Sequence, residues 1–197
     1  MKSGMRTSAT LLLCAAFLLP EGVHAAGVIK IGYDGTGQAD ITNGATGVSN
    51  TYDLGRGASA AVEGQWAVNE NVDLGVGLGI QSYRQLTNYP VAGAFRFAPI
   101  YAKLQAHPEP RIGHLQPYLN LEAGYALFRA DSALTGNGFY SHRDGTHLGI
   151  GGGLLFGKSG VFLEVMATRD TGGLDRNGVH VLDVTYNKTT VALGIKF

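Results

Sequence analysis

The sequence predicts an all-β fold, an eight-stranded antiparallel transmembrane β-barrel with up-and-down topology. Apolar residues recur at every second position in eight separate stretches, and a period of two is that of a β-strand. Glycine is the commonest residue, at 30 of 197 positions, which suits strands that face a narrow interior better than it suits helices. Long polar segments tend to alternate with short turns between the strands, as they do in transmembrane barrels.

The last predicted strand, Thr189 to Phe197, shows the alternation most simply. Its apolar positions are Val191, Leu193, Ile195 and Phe197, with small or polar residues between them. In a transmembrane barrel such an apolar face meets lipid, and a terminal aromatic residue lies at the membrane interface. The alternative, the last strand of a soluble β-sandwich, would leave an aromatic carboxylate exposed on an apolar strand face.

The first residues predict a secretion signal that is removed from the folded protein. Lys2 and Arg6 form a basic start, an apolar run follows from Ala9 to Leu19, and Ala25 ends a stretch suited to cleavage. The predicted division is a signal peptide over 1–25 and an outer-membrane barrel domain over 26–197. Cys14 is the only cysteine of the sequence, so the predicted mature domain excludes disulfides and thiol catalysis.

The other seven predicted strands repeat the same alternation in chain order. They cover about 29–33, 58–66, 72–80, 95–104, 119–127, 148–156 and 161–167. Polar segments predict four long loops, over about 34–54, 84–91, 129–145 and 169–177. Within the fourth strand the alternation changes phase at Pro99, so we expect a β-bulge there, with Phe95 and Phe97 facing outward before it.

The polar faces of the predicted strands carry four acidic and four basic residues. They are Lys30, Glu63, Asp73, Arg96, Lys103, Glu122, Glu164 and Lys196. A lysine or arginine at mid-depth on the lipid face costs about 2–4 kcal/mol. We therefore expect all eight in the lumen, which side chains fill in a barrel of eight strands. They predict a structural salt-bridge network, and the alternative is a gated path for protons or ions through the same charges.

Aromatic residues near the strand ends predict two interfacial girdles. One girdle, near the short turns, consists of Trp66, Phe156 and Phe197; the other, toward the long loops, consists of Tyr33, Phe95, Tyr125 and Phe128. Aromatic side chains at both interfaces are typical of transmembrane proteins, because their amphipathic rings sit at the headgroup level.

Two features of the sequence indicate chemistry that a barrel does not need. Residues 152–159 match the phosphate-binding P-loop pattern, but that pattern needs a helix after the loop, and a strand pattern begins at Val161. His142, His147 and His180 could bind zinc or act as a base, yet their spacing fixes no geometry. We therefore expect no catalytic residue, no cofactor and no metal, and formal net charge of zero gives no basis for nucleic-acid binding.

Three pieces of the sequence resemble the small outer-membrane barrel family, which includes the OmpA membrane domain, the OmpX/Ail group and the neisserial opacity proteins. They are Phe97 to Tyr101, Pro117 to Tyr125 and Thr190 to Phe197. The last piece resembles the C-terminal recognition strand of bacterial outer-membrane barrels, which implies that Phe197 acts as an assembly signal. The resemblance spans the whole of 26–197 and implies fold and location.

A second resemblance, over about Phe95 to Tyr186, is to the PagL-type lipid A 3-O-deacylases, which are eight-stranded barrels with a Ser-His-Glu triad. Thr168 stands where that family has its histidine, Asp170 where it has its serine, and His180 near its glutamate. No catalytic position matches, so the resemblance carries no role over to this chain. A rearranged site of Thr168, Asp170 and His180 is the form that such an activity would have to take.

Together these features predict a monomeric protein of the bacterial outer membrane, with its four loops extracellular and both termini periplasmic. Binding usually resides in loops on a rigid scaffold, so the leading interpretation is a structural or surface-interaction, adhesion-like protein. A lipid A-modifying enzyme of the outer leaflet and a narrow pore are the alternatives. The expected partners are outer-membrane lipid and lipopolysaccharide, the barrel-assembly machinery and a host or surface ligand at the loops.

Overall fold

A computed structural model describes residues 25–87, 93–108, 113–131 and 140–197. The predicted signal peptide therefore lies outside the described residues, apart from Ala25. The described chain consists of strands joined by turns and one short 3-10 turn, η1. Within it, no helix is long and apolar enough to cross a membrane. The elements are β1 Ala25–Asp34, β2 Gly37–Asn43, β3 Ser49–Leu54, β4 Gly57–Asn69, β5 Val72–Gln81, β6 Arg84–Thr87, β7 Ala94–Ala106, β8 Leu115–Ala130, β9 Tyr140–Phe156, η1 Gly157–Ser159, β10 Val161–Arg176 and β11 Val179–Lys196.

The strands form one antiparallel sheet whose pairings run in a closed ring. One end of the barrel, here called the terminal end, carries the start of β1 at Ala25 and the end of β11 at Lys196. There the ring of paired strands is β1, β4, β5, β7, β8, β9, β10 and β11, and β11 pairs back with β1. At the opposite end, called the loop end, β2, β3 and β6 take the places of β1, β4 and β5. Both rings contain eight strands. The predicted fold class, an eight-stranded antiparallel barrel, is confirmed.

At three of the eight places in the ring the chain is interrupted part of the way along the barrel, where β1 gives way to β2, β3 to β4 and β5 to β6. The predicted long polar loop over 34–54 is therefore wrong: β2 and β3 form a hairpin there, from Gly37↔Leu54 to Thr42↔Ser49. The hairpin turn bonds Asn43 N to Val48 O at 2.9 Å. Along β2, Gly37, Ala39 and Ile41 are buried, whereas Gln38, Asp40 and Thr42 are more exposed. A period of two is therefore present, but the polar composition hides it.

The strands also extend further into the predicted loops than the sequence indicated. β8 continues to Ala130, β9 begins at Tyr140, and β10 reaches Arg176, although 129–145 and 169–177 were predicted as loops. Gly172 and Gly173 do not end β10, because both pair with residues of β9 and β11 on either side. Glycine-rich and polar composition indicates a loop only where no neighbouring strand is available for pairing.

The interior changes character along the barrel axis, and this change explains a wrong prediction in β7. Phe95 and Phe97 are fully buried inside the barrel, not outward. β7 pairs with β8 from Phe95↔Ala130 to Ala106↔Leu119 without a register shift, so there is no bulge at Pro99 in this described pairing. The apolar side chains before Pro99 and the polar ones after it share one inward face, because the lumen is apolar toward the loop end.

The apolar layer of the lumen is a cluster that closes the barrel toward the loop end. Phe97 packs against Phe128 and Tyr186 at ring-centroid distances of 5.1 and 6.2 Å, and Phe95 lies 5.8 Å from each of the three. We call this cluster the apolar cap. Its buried members are Ala39, Ile41, Leu54, Leu86, Phe95, Phe97, Ala126, Phe128, Leu174, Val184 and Tyr186.

The outer face of the barrel carries a band of exposed apolar residues. Ile31, Ile150 and Leu193 are 64%, 63% and 53% exposed, a degree of apolar exposure that marks a surface covered by lipid or a partner. Of the two predicted girdles, Tyr33, Tyr125, Phe156 and Phe197 are exposed, whereas Phe95 and Phe128 lie in the apolar cap and are no part of a girdle. Trp66 is partly exposed.

Candidate functional site

The centre of the lumen holds two lysines among three glutamates. Lys30 Nζ lies 2.7 Å from Glu63, 3.2 Å from Glu122 and 2.9 Å from Glu164. Lys103 Nζ lies 2.9 Å from Glu63 and 3.5 Å from Glu164. All five side chains are at most 10% exposed. We call this group the ionic layer. Its charges need one another, because a buried charge without a partner is strongly destabilising.

Neutral side chains satisfy the remaining oxygens of the ionic layer. Tyr101 Oη donates to Glu63 at 2.7 Å, and Gln65 Nε2 donates to the same carboxylate at 2.9 Å. Asn120 and, at 3.4 Å, Tyr118 donate to Glu164. These donors come from several strands, so they link the walls of the barrel across the lumen. Their contribution is to leave few carboxylate oxygens without a hydrogen bond.

Toward the terminal end, the ionic layer continues into a second group of charges. Asp73 accepts from Lys196 Nζ at 2.7 Å and lies 3.2 Å from His107 Nε2. Gln105 bridges the two groups, at 3.3 Å from His107 and 3.5 Å from Gln65. A chain of polar contacts thus runs from the terminal end of the barrel to its centre.

Toward the loop end, His147 joins two carboxylates of different strands. Its Nδ1 lies 2.6 Å from Asp170 and its Nε2 lies 3.3 Å from Glu122. A carboxylate accepts hydrogen bonds, so an imidazole that faces one at each nitrogen donates from both only when it is protonated. Gln81 Nε2 donates to the other oxygen of Asp170 at 3.1 Å. His147 is therefore positioned as a cation within the lumen.

A separate group surrounds Asp34 directly below the apolar cap. Arg84 Nη2 lies 2.8 Å and Lys188 Nζ 3.0 Å from the Asp34 carboxylate, and both side chains are buried. Thr190 and Ser59 donate to the same carboxylate at 2.6 and 2.9 Å. Arg84 Nη1 also donates to the Gly55 carbonyl at 2.8 Å. This arginine therefore ties together the three places where the long strands are interrupted.

The space left inside the described barrel at this level is small. One cavity of about 60 Å³ lies between the ionic layer and the Asp34 group, and it is lined by both polar and apolar side chains. Thr168 Oγ1 and Gln81 Oε1 line it without a hydrogen-bond partner in the protein. A polar cavity of this size holds one or a few water molecules, not a solute, and the apolar cap lies above it.

Seven of the eight residues predicted for the lumen network lie inside the barrel or at its mouth, in the ion pairs described above. Arg96 does not, and its prediction as a lumen residue is wrong. β7 has no bulge, so Arg96 lies on the face opposite the buried Phe95 and Phe97, with its guanidinium 4.8 Å from the Tyr83 ring centroid. Phe197 is 71% exposed and exchanges backbone hydrogen bonds with Gly27 at 2.8 and 2.9 Å; its role in assembly stays a prediction.

Sequence reasoning missed several residues that complete the lumen. They are Asp34, Tyr101, Arg84, His147, Asp170 and Lys188. A signal for some of them was present: Asp34 continues the inward phase of Lys30, and Asp170 continues that of Glu164, each at even spacing. Both were assigned to loops because the polar composition around them suggested that the strand had ended.

The three predicted loop-side histidines lie in different surroundings. His147 is in the lumen, and His142 lies with its ring centroid 6.2 Å from that of Phe128. His180 lies 3.3 Å from Asp175 and 2.8 Å from Asp183 at the loop end, and Arg143 also pairs with Asp183. We call Arg143, Asp175, His180 and Asp183 the tip cluster. Among the residues that the structure describes, no group of metal-binding side chains is assembled.

The rearranged catalytic site of Thr168, Asp170 and His180 is not assembled either. Asp170 pairs with His147, whereas His180 belongs to the tip cluster. Thr168 Oγ1 has no hydrogen-bond partner that would activate it. Residues 152–159 form the end of β9 and the 3-10 turn Gly157–Ser159, followed directly by β10. The P-loop pattern therefore has no helix after it.

Comparison with known proteins supports the fold through structure alone. Neither a scan against family models nor a search of curated proteins finds a match for the sequence. Neisserial surface protein A is 16% identical with a TM-score of 0.55, and the match covers 88% of this chain and 99% of that chain. Ail of Yersinia pestis, in complex with the heparin analogue sucrose octasulfate, is 14% identical with a TM-score of 0.50, over 88% and 99%.

The outer membrane protein AlkL in lipid bilayers is also similar, at 13% identity and a TM-score of 0.56, over 100% of this chain and 97% of that chain. The three proteins are small outer-membrane barrels, and their structures match almost the whole described sheet. The resemblance predicted from the sequence pieces is confirmed at the level of the fold. This chain therefore has the fold of the small outer-membrane β-barrel proteins, similar to the OmpX/Ail group.

Proposed function

We propose that this chain is an integral protein of the bacterial outer membrane that acts at the cell surface through its loop end. The observation that carries the proposal is the filled interior, in which the ionic layer and the apolar cap occupy successive levels of one barrel. A barrel filled by side chains is a rigid scaffold rather than a channel. In the proposed orientation the loop end is extracellular and both termini are periplasmic.

The loop end offers an ordered surface for an interaction. β9, β10 and β11 remain paired beyond the apolar band, up to Arg176, which pairs with Tyr140 and Val179. The tip cluster lies on these strand ends, and its members are linked by ion pairs. Side chains that are already ordered lose less conformational entropy when a partner binds, which supports the tip cluster as a contact surface.

The charge of the tip cluster narrows the class of partner. Ail of Yersinia pestis was determined with a sulfated sugar, which is a polyanion. In this chain Arg143 and His180 are both paired with carboxylates of the same cluster. A surface in which each base already faces an acid favours a polar partner of mixed charge over a polyanion. We therefore propose a protein surface as the partner.

Binding by intact cells tests this proposal. Replacing Arg143 and Asp183 together by alanine removes both members of the central ion pair of the tip cluster. Neither of the two charges is then left behind without the other. We expect cells with this variant to bind host-cell layers and matrix proteins several-fold less than cells with the parent protein. The matched control is Asn69→Ala with Glu70→Ala, at the turn of the terminal end, and it is expected to bind as the parent does. Equal binding by all strains and by cells lacking the protein would contradict a surface-interaction role.

The orientation has its own test, because residues 25–197 contain no cysteine. A single cysteine at Asp183 should react on intact cells with a thiol reagent that does not cross the outer membrane. A single cysteine at Glu70 should react only after lysis. The reverse pattern would contradict the orientation.

Mass spectrometry of lipid A from the same strains addresses the enzyme alternative, since only that alternative predicts a change in acyl chains.

A further inference from the structure

Arg96 is an outward-facing cation at the edge of the apolar band. The outward face of β7 runs through Leu104, Ala102, Ile100 and Ala98, and Arg96 is its first charged residue on the way to the loop end. Its guanidinium lies over the Tyr83 ring at 4.8 Å. Among the described residues, no carboxylate is within ion-pair distance of it. Arg96 therefore lies where lipid headgroups meet the barrel.

The neighbouring strand increases the local positive charge. Arg96 is the cross-strand partner of Arg129 on β8, and like charges directly opposite each other repel. Arg129 is paired with Asp144 at 3.0 Å, so its charge is compensated within the protein. The uncompensated charge of the pair is that of Arg96, and an anion beside it would also relieve the repulsion.

Below Arg96, an apolar groove runs along the outer face of the barrel. The groove has a volume of about 780 Å³ and crosses β10, β11, β1, β4 and β5, with Arg96 and Ser82 at its loop-end lip. Ile31, Leu163, Val191 and Leu193 form exposed apolar walls. A cationic lip above an apolar groove matches a molecule with an anionic head and an apolar chain.

We propose that this groove binds a phosphorylated lipid of the outer leaflet, with an acyl chain against β1 and β4 and a phosphate on the Arg96 guanidinium. The planar guanidinium suits phosphate oxygens, to which it donates two parallel hydrogen bonds. Tyr83 stacks on the same guanidinium and restricts its orientation. A free phosphate ion would not use the apolar groove, so the occupant is the lipid. The assignment to the outer leaflet rests on the orientation proposed above. The groove and its arginine are features of the barrel surface and do not depend on that orientation.

The test measures lipid retention by the purified full-length mature protein in phosphatidylcholine nanodiscs that contain a small fraction of lipid A. Bound lipid is counted by native mass spectrometry, with phosphorylated lipid A in one arm and enzymatically dephosphorylated lipid A in the other. We expect the parent to retain the phosphorylated form about tenfold better, in line with charge-assisted hydrogen bonds to one anionic group. Arg96→Gln should remove this preference.

Two controls separate the site from general membrane adhesion. Arg176 lies over the Tyr140 ring at 5.8 Å at the loop-end tip of β10, outside the groove, so Arg176→Gln should retain lipid as the parent does. Ala60→Phe places a ring in the groove and should lower retention, whereas Ala167→Phe on β10 adds the same ring outside the lining and should not. Heat-modifiable migration on gels checks that all variants are folded.

Three results would overturn the proposal. They are equal retention by Arg96→Gln and the parent, equal retention of the two lipid A forms by the parent, and displacement of the lipid by millimolar inorganic phosphate. Because the two faces of a nanodisc carry the same lipid, retention does not depend on orientation in the cell. Failure of the cysteine-labelling test would thus contradict the proposed orientation while leaving this lipid site standing.

Discussion

Glu164 illustrates how a single carboxylate of the lumen depends on residues from several strands. Its side chain is 1% exposed, and it faces Lys30 at 2.9 Å and Lys103 at 3.5 Å. Asn120 and Tyr118 donate to its second oxygen. Removing the carboxylate would take one of three carboxylate partners from Lys30 and one of two from Lys103. It would also leave the donors of Asn120 and Tyr118 without this acceptor. Such a group stabilises the barrel far more than an exposed pair of the same geometry.

Glu164→Ala is therefore expected to lower the free energy of unfolding by about 3 kcal/mol, the lower part of the range for breaking a buried ion pair, because Lys30 keeps Glu63 and Glu122. Asp175→Ala in the tip cluster removes a partly exposed partner of His180 and should cost about 0–1 kcal/mol. Urea unfolding in detergent, followed by gel migration, compares the two. Coincident midpoints for Glu164→Ala, Asp175→Ala and the parent would show that Glu164 does not hold the interior.

At the scale of strands, the sequence allowed the number of strands and most inward faces to be predicted, because lipid and lumen impose opposite polarity on alternate residues. The prediction failed in β7, where Phe95 and Phe97 are inward. The rule that apolar residues face outward holds only while the lumen is polar. The prediction also failed for β2 and β3, which were expected to be a loop. These strands lie beyond the apolar band, where a strand no longer needs an apolar outer face. Arg96 was misplaced for the same reason as Phe95 and Phe97.

Close packing between neighbouring strands gives a second prediction. A Cβ atom added to Gly124 of β8 would lie against the Ile100 carbonyl and Tyr101 Cα of β7, which are backbone atoms that cannot rotate away. Gly124→Ala should push these strands apart and destabilise the barrel by about 1–3 kcal/mol. Gly64→Ala on β4 is the matched control, because nothing lies within 4 Å of its added Cβ. Equal urea midpoints for the two variants would contradict the required close approach of β7 and β8.

On the scale of the whole molecule, two layers of different chemistry fill one barrel at successive levels. The ionic layer fixes which strands face each other across the lumen, because each buried charge needs a partner of opposite sign at one position. The apolar cap above it separates the Asp34 group from solvent at the loop end, and electrostatic attraction is stronger in such a low-dielectric surrounding. In both layers most of the contacts join residues of different strands, so each layer forms only when the ring of strands closes.

This layering predicts that the lumen does not conduct, and that the two layers close it independently. Planar-bilayer recordings of the parent should show no stable conductance. Phe97→Ala with Phe128→Ala removes two rings of the apolar cap, yet we expect no stable current because the ionic layer still fills the barrel below. Lys30→Ala, Glu63→Ala and Glu164→Ala in that background remove most of the second layer, and brief or noisy openings should then appear if the barrel still folds, as heat-modifiable migration would report. A steady, porin-like current through the parent would refute the filled lumen, and a steady current through the cap variant alone would show that the ionic layer does not close the barrel.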